Sequence, residues 1–213
     1  FANAYLPFYF NVASNRTDFE AKNALVKYNE YYIKIMLFLT FSLIFIVREA
    51  ILLLIDEKYH SSITYVPFLV LSTSISNISG TLIGASLVQS KKTGIDSLLG
   101  LFSSVISLFA NFFLIKYYAI TGAVISSLAS SIVLFIFSYV ISKKIAFFVP
   151  FHWGSIFFQF CMYSLLYLSF HFLILDNVVF CLLIKTSVLS AIALLFLFQR
   201  KHRDTLLRMF KKQ

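Results

Sequence analysis

No charged side chain interrupts the stretch from Tyr65 to Ser90, YVPFLVLSTSISNISGTLIGASLVQS. At a helical rise of 1.5 Å per residue, it is long enough to cross a hydrocarbon core of roughly 30 Å. Its small residues are ordered: Ser72, Ser76, Gly80 and Gly84 recur at spacing four and form one helical stripe. Gly80 and Gly84 make a GxxxG step within it, the pattern that lets two membrane helices pack backbone to backbone. Asn77 lies beside the stripe, where an amide is expensive in lipid unless it finds a partner. The stretch therefore reads as a helix facing protein or a polar cavity. It is either a packing seam or one wall of a transport path. Pro67 near its start marks the helix entry or a kink.

Composition selects the solvent. Of the 213 residues, 60% are hydrophobic and 13% charged, and the mean hydropathy is +0.86. A soluble domain of this size cannot hide so much apolar surface, so the bilayer takes that place. The net charge of +9 sits in clusters that alternate with apolar runs. That arrangement suits topology signals and lipid headgroups rather than nucleic acid. Cys161 and Cys181 lie in apolar runs without a metal-type pattern and read as inert core thiols.

The expected fold class is all-α: a polytopic transmembrane bundle of six full spans plus a truncated first one. Residues 1–10 (FANAYLPFYF) read as the tail of a span whose beginning lies upstream, so the sequence is expected to be a C-terminal fragment. A polar linker follows, with a capping box at Thr17–Glu20 that starts a surface helix. The full spans are expected at 33–55, 66–89, 97–115, 124–142, 155–175 and 178–198. Asp56–His60, Ser90–Gly94 and Lys116–Gly122 read as short connections. Pro150, His152, Trp153 and Gly154 break the run before the fifth span. Residues 200–213 form a basic tail with Leu206, Leu207, Met209 and Phe210, amphipathic in composition.

Alternating the connections between two sides separates the charges. One side gathers Arg16, Lys22, Lys27, Lys34, Lys91, Lys92, Lys143, Lys144 and the tail cations Arg200, Lys201, Arg203, Arg208, Lys211 and Lys212. The other receives Arg48, Lys58, Lys116 and Lys185. The positive-inside rule makes the first side, and the C-terminus, cytoplasmic.

The sequence offers no paired-carboxylate site, HExxH, glycine-rich phosphate loop or defensible Ser-His-Asp order, and the outer connections are short. Neither enzyme, cofactor nor metal is expected. His171, inside a span, reads as a hydrogen-bonded core residue. The informative residues are polar groups within spans: Arg48, Asn77, Asn111 and Lys185 are the candidates for a substrate path. Arg48 and Lys185 either neutralise an anionic substrate or snorkel to the outer headgroups, Arg48 alternatively forming a salt bridge there. Asn77 and Asn111 either bind sugar hydroxyls or proton carriers, or tie helices together by interhelical hydrogen bonds.

The order of features resembles the C-terminal half of O-antigen (Wzx-type) polysaccharide flippases, in the multidrug/oligosaccharidyl-lipid/polysaccharide exporter superfamily. A Pro-bearing span end, Ala4-Tyr-Leu-Pro7, precedes an amphipathic linker and a long span. Then come the outer turn Glu57-Lys-Tyr-His60, a Pro-bearing small-residue span and the turn Ser90-Lys-Lys-Thr93. Asn111 leads to Tyr118-Ala-Ile-Thr-Gly-Ala123 and then to Ser126, Ser127 and Ser130, with Ala119 where the family commonly has Gly. The resemblance implies two helical bundles around a cavity in the bacterial inner membrane. It implies flipping of an undecaprenyl-diphosphate-linked oligosaccharide by alternating access. Implied partners are that lipid-linked oligosaccharide, membrane lipids, the missing N-terminal half and other polysaccharide assembly proteins. A multidrug/cation antiporter or lipid II flippase of the same superfamily is the nearest alternative. A membrane-embedded polymerase and a structural subunit are further ones.

Overall fold

Neither proline nor glycine occurs between Asp18 and Leu54, so nothing in the backbone stops a helix once it has started. The computed structural model, which describes residues 2–15, 18–145, 153–172 and 178–198, has a single helix there. This is α2 (Asp18–Leu54), preceded by α1 (Ala2–Asn15). The surface helix and the span expected to follow it are thus one rod. Lys34 and Glu30 tie its middle at 2.8 Å across one turn.

After α2, Asp56 caps a 3-10 helix (Glu57–Thr64) by accepting from the Lys58 backbone N–H at 3.2 Å. Where a short polar turn was expected, the chain is therefore helical. Next come α3 (Val66–Ile78), a π-helical turn (Ser79–Ile83), α4 (Gly84–Gln89), α5 (Thr93–Ile145), α6 (Trp153–Phe172) and α7 (Val178–Phe198). No strand occurs among the described residues. Among the described residues three helical stretches are long and apolar enough to cross a membrane: Asn23–Leu54, Val66–Gln89 and Thr93–Lys144. Thr17, Pro150 and His152 of the expected break, and the basic tail at 200–213 lie outside the described residues, whereas Trp153 and Gly154 of that break begin α6.

The chain divides into two compact units. The first comprises Phe1–Asn29 and Phe68–Phe151. In it, Tyr5 and Tyr9 of α1 are buried with Leu25 of α2, and the Tyr5 hydroxyl donates to Asn29 Oδ1. The long helix α5 is two helices. Ala119 has φ 48° and ψ −125°, outside the helical region. Ser103 Oγ donates to the Ser130 carbonyl at 3.3 Å, and Ser126 Oγ donates to Asn111 Oδ1. Those pairings require arms 93–118 and 120–145 to run antiparallel. Gly122 permits the reversal, because a Cβ there would overlap the Leu114 carbonyl and lie 2.9 Å from the Ile115 nitrogen.

A positive φ at Ala119 is a conformation that an alanine side chain resists and glycine accepts. Ala119→Gly should therefore raise the stability of the first unit by about 1 kcal/mol, the strain relieved less the extra chain entropy of glycine. Reversible unfolding in micelles measures it, and a loss of stability would show that the reversal carries no strain.

The second arm of α5 runs parallel to the 66–89 helix. Ser72 Oγ donates to the Ser127 carbonyl at 2.8 Å, and Ser86 Oγ meets Ser142 Oγ at 2.5 Å. This seam departs from the expected stripe. Ser72 and Gly84 are buried, Ser76 is half-buried, and Gly80 is exposed with nothing within 4 Å of its Cβ position. The π turn is the cause. Its wider loop, closed by the Gly84 N–H on the Ser79 carbonyl, holds one residue more than an α turn. It breaks the spacing of four, leaves Gly80 outside and brings Ser79, Thr81 and Ser86 inward.

The second unit comprises Glu30–Pro67 and His152–Gln213. Its packing is aromatic. Phe41 of α2 stacks on Tyr163 of α6 at 5.4 Å and meets Phe160 edge-on at 5.5 Å. Helix α7 joins them through Leu189 and Ile192, which with Phe38, Phe45 and Tyr167 help line a cavity of about 10 Å³. That is near the lower limit for one water.

Candidate functional site

An isolated charge in an apolar interior is costly, so a buried lysine demands a partner. Lys185 of α7 is 8% exposed and finds Glu49 of α2, which is 1% exposed. Its three ammonium protons have three acceptors: Glu49 Oε1 at 2.8 Å, Glu49 Oε2 at 2.9 Å and the Phe45 carbonyl at 3.0 Å. The ammonium also lies 5.0 Å from the centre of the Phe45 ring. Lys185 therefore turns inward, against the snorkelling geometry its position allows. Glu49 outcompetes the headgroups because it offers both carboxylate oxygens within the stem's reach, at contact distance.

Two more groups border Glu49. Cys181 Sγ donates to Oε1 at 3.6 Å, one turn before Lys185 on α7. Arg48 places Nη1 3.7 Å from the same oxygen, while its side chain remains 51% exposed. Two cations share one anion, so the cluster carries a formal charge of +1, with the excess on the exposed arginine.

Glu49 is the group that reading the sequence missed as a partner. The signal was present. Within the six full spans expected, Glu49 is the sole acidic residue and Lys185 the sole base of the last span. Glu49 lies five residues before the end of α2 and Lys185 seven after the start of α7. Two opposite charges at like depth in antiparallel helices are natural partners.

The other candidates separate. Asn111 is half-buried and accepts from Ser126, so its amide serves the α5 hairpin. Asn77 is exposed and makes no hydrogen bond among the described residues. By the helical rise it lies roughly 17 Å from either end of the 66–89 helix, at mid-span. Thr73, one turn before it, and Gly80, one turn after, are also exposed. These three leave a polar, open face just where the π turn begins. The Thr73 hydroxyl is satisfied by the Leu69 carbonyl at 2.8 Å, whereas the Asn77 amide has no such partner among the described residues.

Among the described residues no three His, Cys, Asp or Glu side chains gather as a metal site. Cys161 and Cys181 are free thiols. His60 contacts the Ile55 carbonyl at 3.0 Å, and the His171 side chain lies outside the described residues, as do His152 and His202.

Comparison with protein families, with curated proteins and with solved structures finds no match to this chain.

Proposed function

We propose that the chain is part of a polytopic transporter, a bundle of six spans and the end of a seventh, that moves an undecaprenyl-diphosphate-linked oligosaccharide across the bacterial inner membrane by alternating access. The order of its sequence features supports this through the resemblance to polysaccharide flippases. The structural observation that carries it is Asn77. An amide at mid-span with no partner among the described residues is unfavourable against lipid, and it is maintained where it faces water or a polar solute. A π turn beside it adds weight, because interrupted helices at the midplane recur where transporters bind their cargo. An amide with free donors and acceptors suits sugar hydroxyls, while the apolar tail of the carrier stays in the bilayer.

The test is complementation. The chain, expressed from its complete reading frame, should restore surface polysaccharide to cells lacking their own repeat-unit flippase, with the cognate sugar pathway supplied. Asn77→Leu should reduce the surface polymer at least tenfold and leave lipid-linked repeat units in the cytoplasmic leaflet, at equal protein level. No restoration by the folded wild-type chain would sink the flippase reading. Full restoration by Asn77→Leu would remove Asn77 from the path.

A further inference from the structure

We propose that Glu49 is a switchable counter-ion: it closes the Lys185 ammonium in the state described here, passes to Arg48, and so opens Lys185 to the phosphate of an amphiphile. The inference rests on the membrane reading above and deepens it by naming the group that gates an anion site.

Four observations lead there. Every proton of the Lys185 ammonium is engaged, at 2.8, 2.9 and 3.0 Å, so no anion can bind it while Glu49 stays in place. Two of the three engaged acceptors belong to one carboxylate, so a single side-chain movement frees two donors at once. A second cation already waits for that carboxylate, since Arg48 Nη1 lies at 3.7 Å, within coulombic reach but beyond hydrogen-bond contact. Finally, the cluster has one positive charge in excess, which an incoming phosphate neutralises. In the closed state the charges are Lys185⁺·Glu49⁻, with Arg48⁺ 3.7 Å from the same carboxylate. In the open state they are Arg48⁺·Glu49⁻ and Lys185⁺·phosphate. No ionised group loses its partner in the exchange, which keeps its energetic cost low in an apolar setting. A pair that serves only to hold α2 on α7 has no need of the second cation.

The ligand class follows from the surroundings. The ammonium is a point donor suited to phosphate, and near it along the same two helices Leu53 and Leu54 of α2 and Val179, Phe180 and Leu183 of α7 are exposed apolar side chains. An anion with an apolar tail meets both surfaces. A free phosphate meets only the charge.

The experiment is calorimetric titration of the purified chain, in a neutral maltoside detergent, with dodecyl phosphate and separately with inorganic phosphate. Glu49→Gln keeps the shape of the side chain and removes its charge, and it should tighten dodecyl phosphate binding about tenfold. Lys185→Gln should abolish binding. Arg48→Gln should weaken binding about fivefold in the wild-type background and have no effect in Glu49→Gln, because there is no carboxylate left to receive. Where Glu49→Gln fails to fold, Glu49→Asp, one methylene too short to hold both contacts, should still tighten binding about threefold. Unchanged or weaker binding in whichever acidic-site variant folds overturns the proposal. An Arg48→Gln penalty that persists in Glu49→Gln overturns the hand-over, because the arginine then touches the phosphate itself. Inorganic phosphate binding as tightly as the amphiphile overturns the lipid source. The titration involves no flipping: phosphate binding that follows the proposal in a chain that fails complementation rejects the flippase reading alone.

Discussion

Lys185→Met should lower the unfolding free energy by about 3 kcal/mol, the scale expected when one member of a buried ion pair is removed and the other is stranded. Glu49 is 1% exposed, so the carboxylate left behind has little access to water. Arg48 at 3.7 Å recovers part of the lost interaction, which places the effect at the low end of the range. Adding Glu49→Met in the same chain should restore most of the stability, because two apolar side chains of similar length fill the space without a charge to solvate. Denaturant titration in mixed micelles, followed by circular dichroism, measures both. A double variant as unstable as the single one would mean that the shape of the pair, not its charge, holds α7 on α2.

Gly122→Ala should cost the first unit about 3 kcal/mol, at the upper end of what overpacking costs. The added methyl would meet the Leu114 carbonyl and the Ile115 nitrogen, which are backbone atoms of the facing arm and cannot rotate aside. The arms of α5 must therefore separate, and with them the pairings Ser103–Ser130 and Asn111–Ser126. Oxidative cross-linking reports it directly. With both native cysteines replaced by serine, cysteines introduced at positions 103 and 130 should join readily when Gly122 is present and several-fold more slowly with alanine there. Equal rates would show that the reversal tolerates a side chain.

These two sites differ in how far they could be read from the sequence. Helical character and the long apolar stretches follow from composition and the placement of charges, since an apolar run the width of a bilayer has few other conformations. The chain reversal lies within Lys116–Gly122, where charge, aromatic residues and a glycine gather, and its sharp point at Ala119 has no residue-level mark. The π turn was not legible. Nothing in Ser79-Gly-Thr-Leu-Ile83 distinguishes it from an ordinary turn, and it arises where the helix adjusts to its neighbours. That adjustment defeated the stripe of spacing four, which assumed one helical period from Ser72 to Gly84. The Glu49–Lys185 contact joins residues far apart in sequence, so a local pattern shows two costly charges but not that they meet. Asn77 was legible as an amide needing a partner, and its exposure became evident only once its neighbours were placed.

The turn after α4 closes with a Schellman pattern: Lys92 N–H on the Leu87 carbonyl and Lys91 N–H on the Val88 carbonyl, both at 2.9 Å. The left-handed position falls on Lys91, φ 56°, where glycine is the usual occupant. A lysine there gives up about 1 kcal/mol of backbone comfort. A cation close to an anionic bilayer surface gains a similar amount, about 1 kcal/mol per charge. Where such a surface lies beside the turn, the two nearly cancel and the headgroups complete it. Its firmness then becomes a property of the membrane: tight over acidic headgroups, looser in a neutral detergent, and sensitive to salt in a way that no contact inside the protein would be.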